Sequence, residues 1–311
     1  MEHITASRVP ALPPSRPLSW QSRTARIVDR HVLMLLMLPA FLILFATTFG
    51  PFLWSLGLSF TDYNLANPDI AKFVGLDTYS RVLGAKSTWN ALFNTFYMVV
   101  AIVVIETLLG LALALLLARQ FWGVRVARSL FLIPLMTPPI VVALTWRMLF
   151  NARFGYINYF LGLVGLPQLD WLGDPAWAMP SLIISDVWVS TPFVATILLA
   201  GLISLPEEPF EAATVDGASP FQIFWNITLP LLRPVLALAI MFRSIEAFRK
   251  FESIQIMTGG GPADVTMTVN FLVYNTGFLF LRLADASVLA VIMVVLMFLI
   301  VVTCVRWLES E

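Results

Sequence analysis

Apolar residues dominate this chain in runs too long for a soluble core. Six segments can each cross a bilayer as a helix of about 20 residues: residues 32–59, 92–118, 130–150, 179–203, 232–257 and 284–308. The third is the shortest and contains Pro134, Pro138 and Pro139. Such prolines are tolerated where neighbouring helices satisfy the freed carbonyls. The fifth carries ionisable residues that depress its hydropathy. These runs predict an all-α integral membrane protein with six transmembrane helices.

Composition agrees: 59% of residues are hydrophobic, 12% are charged, and the mean hydropathy is +0.85. A soluble domain carries about 25% charged residues. Net charge is zero, so bulk charge indicates no nucleic-acid partner. Residues 1–31 differ from the rest, with Arg8, Arg16, Arg23, Arg26, Arg30 and little apolar periodicity, and read as a disordered basic tail. The apolar stretch that follows exceeds the roughly 7–15 residues of a signal-peptide core. Residues 32–308 then form a six-span transmembrane domain and 309–311 a short C-terminal tail. With the N-terminus inside, ten basic residues fall on the inner side: the five tail arginines, Arg119, Arg125, Arg128, Arg233 and Arg306. Five fall outside: Lys72, Arg81, Lys86, Arg153 and Arg282. The positive-inside rule puts both termini in the cytoplasm, with the loop at 204–231.

That loop is built like helix, turn, helix. Ser204 and Glu207 are spaced as a capping box, with Pro206 in the first turn. Gly217 can take the positive φ that ends a helix. Ser219, Pro220 and Gln222 repeat the start signal, and Pro230 is expected to stop the second helix. Glu211-Ala212-Ala213, three residues, Gly217, nine residues, then Ile227-Thr228-Leu229-Pro230 resembles the EAA signature of ABC importer permeases. Further stretches, in order, resemble the carbohydrate branch and its larger maltose-permease subunit. They include Ser59-Phe60-Thr61-Asp62-Tyr63, the segment Phe242–Glu252 and Thr258-Gly259-Gly260-Gly261-Pro262. The maltose subunit's extra N-terminal spans and external insertion have no counterpart in these residues.

The resemblance implies a maltose-type permease fold in the bacterial inner membrane. It implies a second, related permease subunit, two copies of a cytoplasmic ABC ATPase and an extracytoplasmic solute-binding protein. ATP and Mg would be held by the ATPase, with no cofactor on this chain. Glu211, Ala212, Ala213, Asp216, Gly217, Ile227, Leu229 and Pro230 become ATPase-coupling residues. The cargo implied is a sugar or polyol; an anionic sugar derivative or glycerol phosphodiester is the alternative.

Ionisable residues inside spans are functional candidates by default. Arg243, Glu246, Arg249 and Ser253 step by three or four residues and are expected on one helical face. They read either as a salt-bridged seam between subunits or as a wall of the solute pathway. Asp186, with Trp188 and Thr191 nearby, reads as a sugar contact or a helix-packing group. Glu106 has the same two readings. Trp146 and Arg147 read as interfacial anchors. Thr258 to Pro262 must be irregular backbone.

No G-x-x-x-x-G-K-[ST] loop occurs: Gly84-Ala85-Lys86-Ser87 lacks the Gly-Lys step. His3 and His31 lie in or beside the tail and Cys304 is the single cysteine, so no catalytic triad or metal cluster is expected. A self-sufficient secondary transporter would show internal repeats, and none is evident.

Overall fold

A computed structural model describes residues 21–309, apart from 69, 70 and 120, with side chains placed between 37 and 306. Its contacts divide the chain into Met1–Trp54 and Ser55–Glu311. No residue of the described chain lies in a β-strand. Among the described residues, five helices are long and apolar enough to cross a membrane, and a bent pair passes the same test when taken as one span.

Helix α1 (Gln21–Leu58) begins well before the expected 32. Residues 21–31, read as disordered tail, are therefore helical, and residues 1–20 lie outside the described part. Nothing in residues 21–31 breaks a helix: the first proline after Gln21 is Pro39. The exposed face of α1 is apolar, and Phe45 stacks on Phe49 at 4.6 Å.

In the larger unit, α2 (Asp77–Gly84) precedes α3 (Lys86–Ala118), which starts six residues before the expected 92. Arg128 Nη2 donates to the Leu117 carbonyl at 2.6 Å, satisfying an acceptor at the end of α3. The third span is not one helix. It breaks into α4 (Val124–Phe131), a 3₁₀ turn at Pro134–Met136 and α5 (Pro139–Leu149), with a bend of 92°. The three prolines remove backbone donors over six residues, so no continuous α-ladder can form.

After α6 (Tyr156–Leu163), α7 (Pro175–Ile203) opens on Asp174, whose side chain accepts from the Ala176 N–H at 2.9 Å. This cap and Pro175 at the first position start α7 four residues before the expected 179. Helices α3 and α7 form the main packing seam of the larger unit. Gly110 makes it close: a Cβ there would lie 2.7 Å from Val194 Cγ1. Gly110 meets Val194 and Ala114 shares a cluster with Leu198, so the two helices run in the same direction. Two parallel spans require the chain to recross the membrane between them, which makes the broken segment 124–149 a true third crossing.

Beyond α7 come α8 (Glu208–Val215) and α9 (Pro220–Ile223). A π turn at Phe224–Thr228 then leads into α10 (Leu229–Phe248). Pro230 was expected to stop this helix, but the span continues through it from Pro220 to Phe248. The π turn is the reason. It shifts the ladder to an i→i−5 bond, Leu229 N–H to Phe224 C=O, just where proline denies an i→i−4 donor.

Helix α10 stops at Phe248, short of the expected 257, and α11 (Glu252–Met257) follows as a separate turn. Gly259 and Gly260 take φ of 62° and 84°, the irregular backbone expected there. Helices α12 (Val269–Tyr274) and α13 (Leu283–Glu309) complete the fold. The largest core cluster joins Met98 and Ile102 of α3, Leu182 and Ile183 of α7, and Phe248 of α10.

Candidate functional site

Arg243 is the centre of the site. It lies on α10, is 2% exposed and has carboxylates on three sides. Its Nε donates to Glu106 Oε2 at 2.5 Å and its Nη2 to Glu106 Oε1 at 3.0 Å. Nη2 also donates to Asp186 Oδ2 at 3.1 Å, and Nη1 to Glu246 Oε2 at 2.6 Å. Lys250 pairs with the other oxygen of Asp186. Glu106 comes from α3, Asp186 from α7 and Arg243 from α10, so one guanidinium ties three spans together. A planar fork of N–H donors is the group that can serve several carboxylates at fixed angles.

One side of this cluster is open. A cavity of about 400 Å³ is lined by Asp186 and Ser190 of α7, Val142 of α5, and Arg243 and Glu246 of α10. Arg249, Lys250, Glu252 and Ser253 complete its charged wall. The expectation of one helical face fails, because α10 ends at Phe248. All four nevertheless line one cavity, because the chain turns at 249–251 and α11 returns Ser253 to it. Glu246 is exposed while Arg243 is buried, so the carboxylate is the more accessible end of that pair.

Asp186 lies in the wall, but both its oxygens are engaged, with Arg243 and Lys250. Trp188 and Thr191 do not line the cavity. Residues two apart on a helix face opposite ways, and Trp188 stacks edge-on against Trp146 at 5.9 Å. The Thr191 hydroxyl donates back to the Val187 carbonyl at 2.6 Å. Ser190, one turn from Asp186, is the residue that shares its face. Trp146 also packs on Phe150 at 5.2 Å, against the core rather than as an isolated interfacial anchor. Sequence reasoning missed Lys250, Glu252 and Ser190, and it gave Glu106 no partner.

The loop after α7 has its own geometry. Ser204 does not cap α8; its hydroxyl donates to the Gly201 carbonyl, and Glu207 makes no side-chain cap. Gly217, at φ 74°, closes α8. Ala218 N–H reaches the Ala213 carbonyl at 2.9 Å and Gly217 N–H the Thr214 carbonyl at 3.2 Å. This is the paired 6→1 and 5→2 bonding that a left-handed glycine allows. The second start signal is present as read: Ser219 and Gln222 form a reciprocal capping box. Glu211, Ala212, Asp216, Gly217 and Pro230 are exposed; Ala213, Ile227 and Leu229 are half-buried. Val215, Phe221 and Trp225 add exposed apolar surface around the turn.

Comparison with known proteins places these features. The trehalose/maltose transport system permease protein of Thermococcus litoralis is 43% identical over 203 residues, covering 65% of this chain and 69% of that one. The sulfoquinovosyl glycerol transport system permease protein of Agrobacterium fabrum is 31% identical over 286 residues, covering 91% and 92%. A solved structure of a bacterial ABC transporter involved in import of the acidic polysaccharide alginate contains a chain of the same fold. Its TM-score is 0.77 at 22% identity, covering 91% of this chain and 97% of that chain. Residues 106–310 match the family model described as binding-protein-dependent transport system inner membrane component. With a span-crossing ionic site and the helix-turn-helix loop on one chain, this protein belongs to the family of inner-membrane components of binding-protein-dependent transport systems.

Proposed function

We propose that the chain forms half of a translocation pathway for a neutral sugar or polyol, and that its 204–231 loop docks on a separate ATPase. The observation that carries the cargo reading is the charge balance of the cavity wall. Asp186, Glu246 and Glu252 face Arg243, Arg249 and Lys250, so the wall has no surplus of cations. Arg243 is bound by three carboxylates and so is not free to serve an anion. A wall of alternating charges offers paired donors and acceptors, the pattern that polyhydroxylated solutes satisfy. The volume falls in the range of small-molecule sites, about 300–1,000 Å³. Relatives transporting trehalose or maltose agree with this reading; the relative transporting sulfoquinovosyl glycerol marks the anionic alternative.

ATP and Mg belong to the partner in this scheme. The assembly comprises a second related permease, two ATPase copies and a solute-binding protein, with both termini cytoplasmic. Movement of the ATPase pair pulls α8 and α9 as a unit, because Gly217 and the Ser219 cap fix the angle between them. The π turn transmits that pull into α10 and so to Arg243.

ATP hydrolysis by the complex in lipid, with its binding protein and a panel of neutral sugars, polyols and anionic sugar derivatives, tests the cargo reading. Stimulation by neutral solutes is expected. Stimulation by anionic ones alone would overturn it. Protection of a terminal tag from external protease in intact cells is the expected topological result, and cleavage would reverse the orientation.

A further inference from the structure

Glu106 does not line the cavity and is 0% exposed. Both its oxygens accept N–H bonds from Arg243, the geometry of a carboxylate paired with a guanidinium. A purely structural pair would be complete at that point: one carboxylate, one guanidinium. Here Asp186 and Glu246 bind the same guanidinium as well. Three carboxylates therefore share two cations, Arg243 and Lys250. The remaining wall charges, Arg249 and Glu252, offset one another. The cavity keeps one surplus negative charge, and it is present only because Glu106 stands behind Arg243.

We propose that Glu106, without touching solute, determines which class of solute the cavity admits, by setting its potential negative and excluding anions. This rests on the cargo reading above and deepens it. The surplus cannot relax away when solute enters, because its members are anchored on α3, α7 and α10. Nor can water screen it well from behind, since Glu106 is enclosed by protein. A neutral sugar is indifferent to the net potential and uses the local donors and acceptors. A sugar acid meets repulsion from the same wall. Loss of the Glu106 charge would leave Arg243 shared between Asp186 and Glu246 and bring the cavity to neutrality.

The test reads the potential directly. Ser253→Cys places a thiol in the cavity wall, and Cys304→Ser removes the native one. Modification rates with anionic sulfonatoethyl and cationic trimethylammonioethyl methanethiosulfonates are compared in the assembled complex. In the parent the cationic reagent is favoured beyond its preference for a free thiol; anion preference would overturn the proposal without any further variant. Glu106→Gln is expected to raise the anionic-to-cationic rate ratio roughly three- to tenfold, the size of removing one charge about 10 Å away in a partly hydrated site. Glu106→Asp keeps the parent ratio. A structural defect alone would change both rates together.

Where Glu106→Gln fails to assemble, Glu106→Leu/Arg243→Met decides. It removes one charge of each sign, so the parent ratio is expected, and a shift toward the anionic reagent would refute the charge arithmetic. An unchanged ratio in assembled Glu106→Gln would also refute it. If the ratio shifts as expected while no neutral sugar stimulates ATP hydrolysis, the cargo reading fails and the role of Glu106 in setting the potential stands.

Discussion

Arg243→Met removes the guanidinium while keeping most of the side-chain length. Glu106 is then left fully buried with neither oxygen bonded, since Arg243 supplies both of its donors. Asp186 retains Lys250 and Glu246 can turn to water, so the damage concentrates on Glu106. Breaking a buried pair by removing one partner costs about 3–5 kcal/mol. At roughly 2–4 °C per kcal/mol for a chain of this order of size, the apparent melting temperature should fall by about 6 °C or more. The companion Glu106→Leu/Arg243→Met variant removes both charges, and replacing a buried pair by apolar groups is often neutral. It should recover most of the loss. Intrinsic fluorescence of the complex in nanodiscs follows the transition, with Trp171 and Trp188 in the unit that contains the site. If Arg243→Met melts within about 1 °C of the parent, Glu106 is not carrying an uncompensated charge and the ionic site is not what joins α3 to α10.

Other perturbations act elsewhere. Gly217→Val puts a β-branched side chain at φ 74°, a strain of about 1–2 kcal/mol at the turn of the 204–231 loop. Membrane insertion should be unchanged and solute-stimulated ATP hydrolysis should fall; full stimulation would remove the turn from coupling. Gly110→Leu drives a side chain into Val194, 2.7 Å from where its Cβ would sit, and overpacking of this kind costs about 1–3 kcal/mol. A lower melting temperature is expected, and an unchanged one would mean that α3 and α7 can separate freely.

Hydropathy made the spans legible because lipid demands long apolar helices. The loop at Gly217 was legible too, since a left-handed turn and a Ser-Pro-x-Gln cap are local chemistry. Four features were not. Ser204 looked like a cap, but its hydroxyl is claimed by the carbonyl of its own helix at Gly201. Pro230 looked like a stop, and a π turn upstream absorbs it. Asp186 looked like a partner of Trp188, although helical spacing alone puts Ser190 on its face. The Glu106–Arg243 bond joins residues 137 apart, and no local pattern records a partner at that separation.

The broken third crossing has a consequence for backbone solvation. Helix α5 has 11 residues and rises about 16 Å, roughly half of a 30 Å hydrocarbon layer. The rest of that crossing must include peptide groups outside an α-ladder, each costing several kcal/mol in lipid if unpaired. Proline at 134, 138 and 139 deletes three N–H donors where no acceptor is guaranteed. The carbonyls that remain can be wetted from the cavity, which Leu135, Thr137 and Pro139 help to line. Residues that look like helix breakers thus leave fewer peptide donors to hydrate along this crossing, and they place the remaining carbonyls beside a space that water can enter.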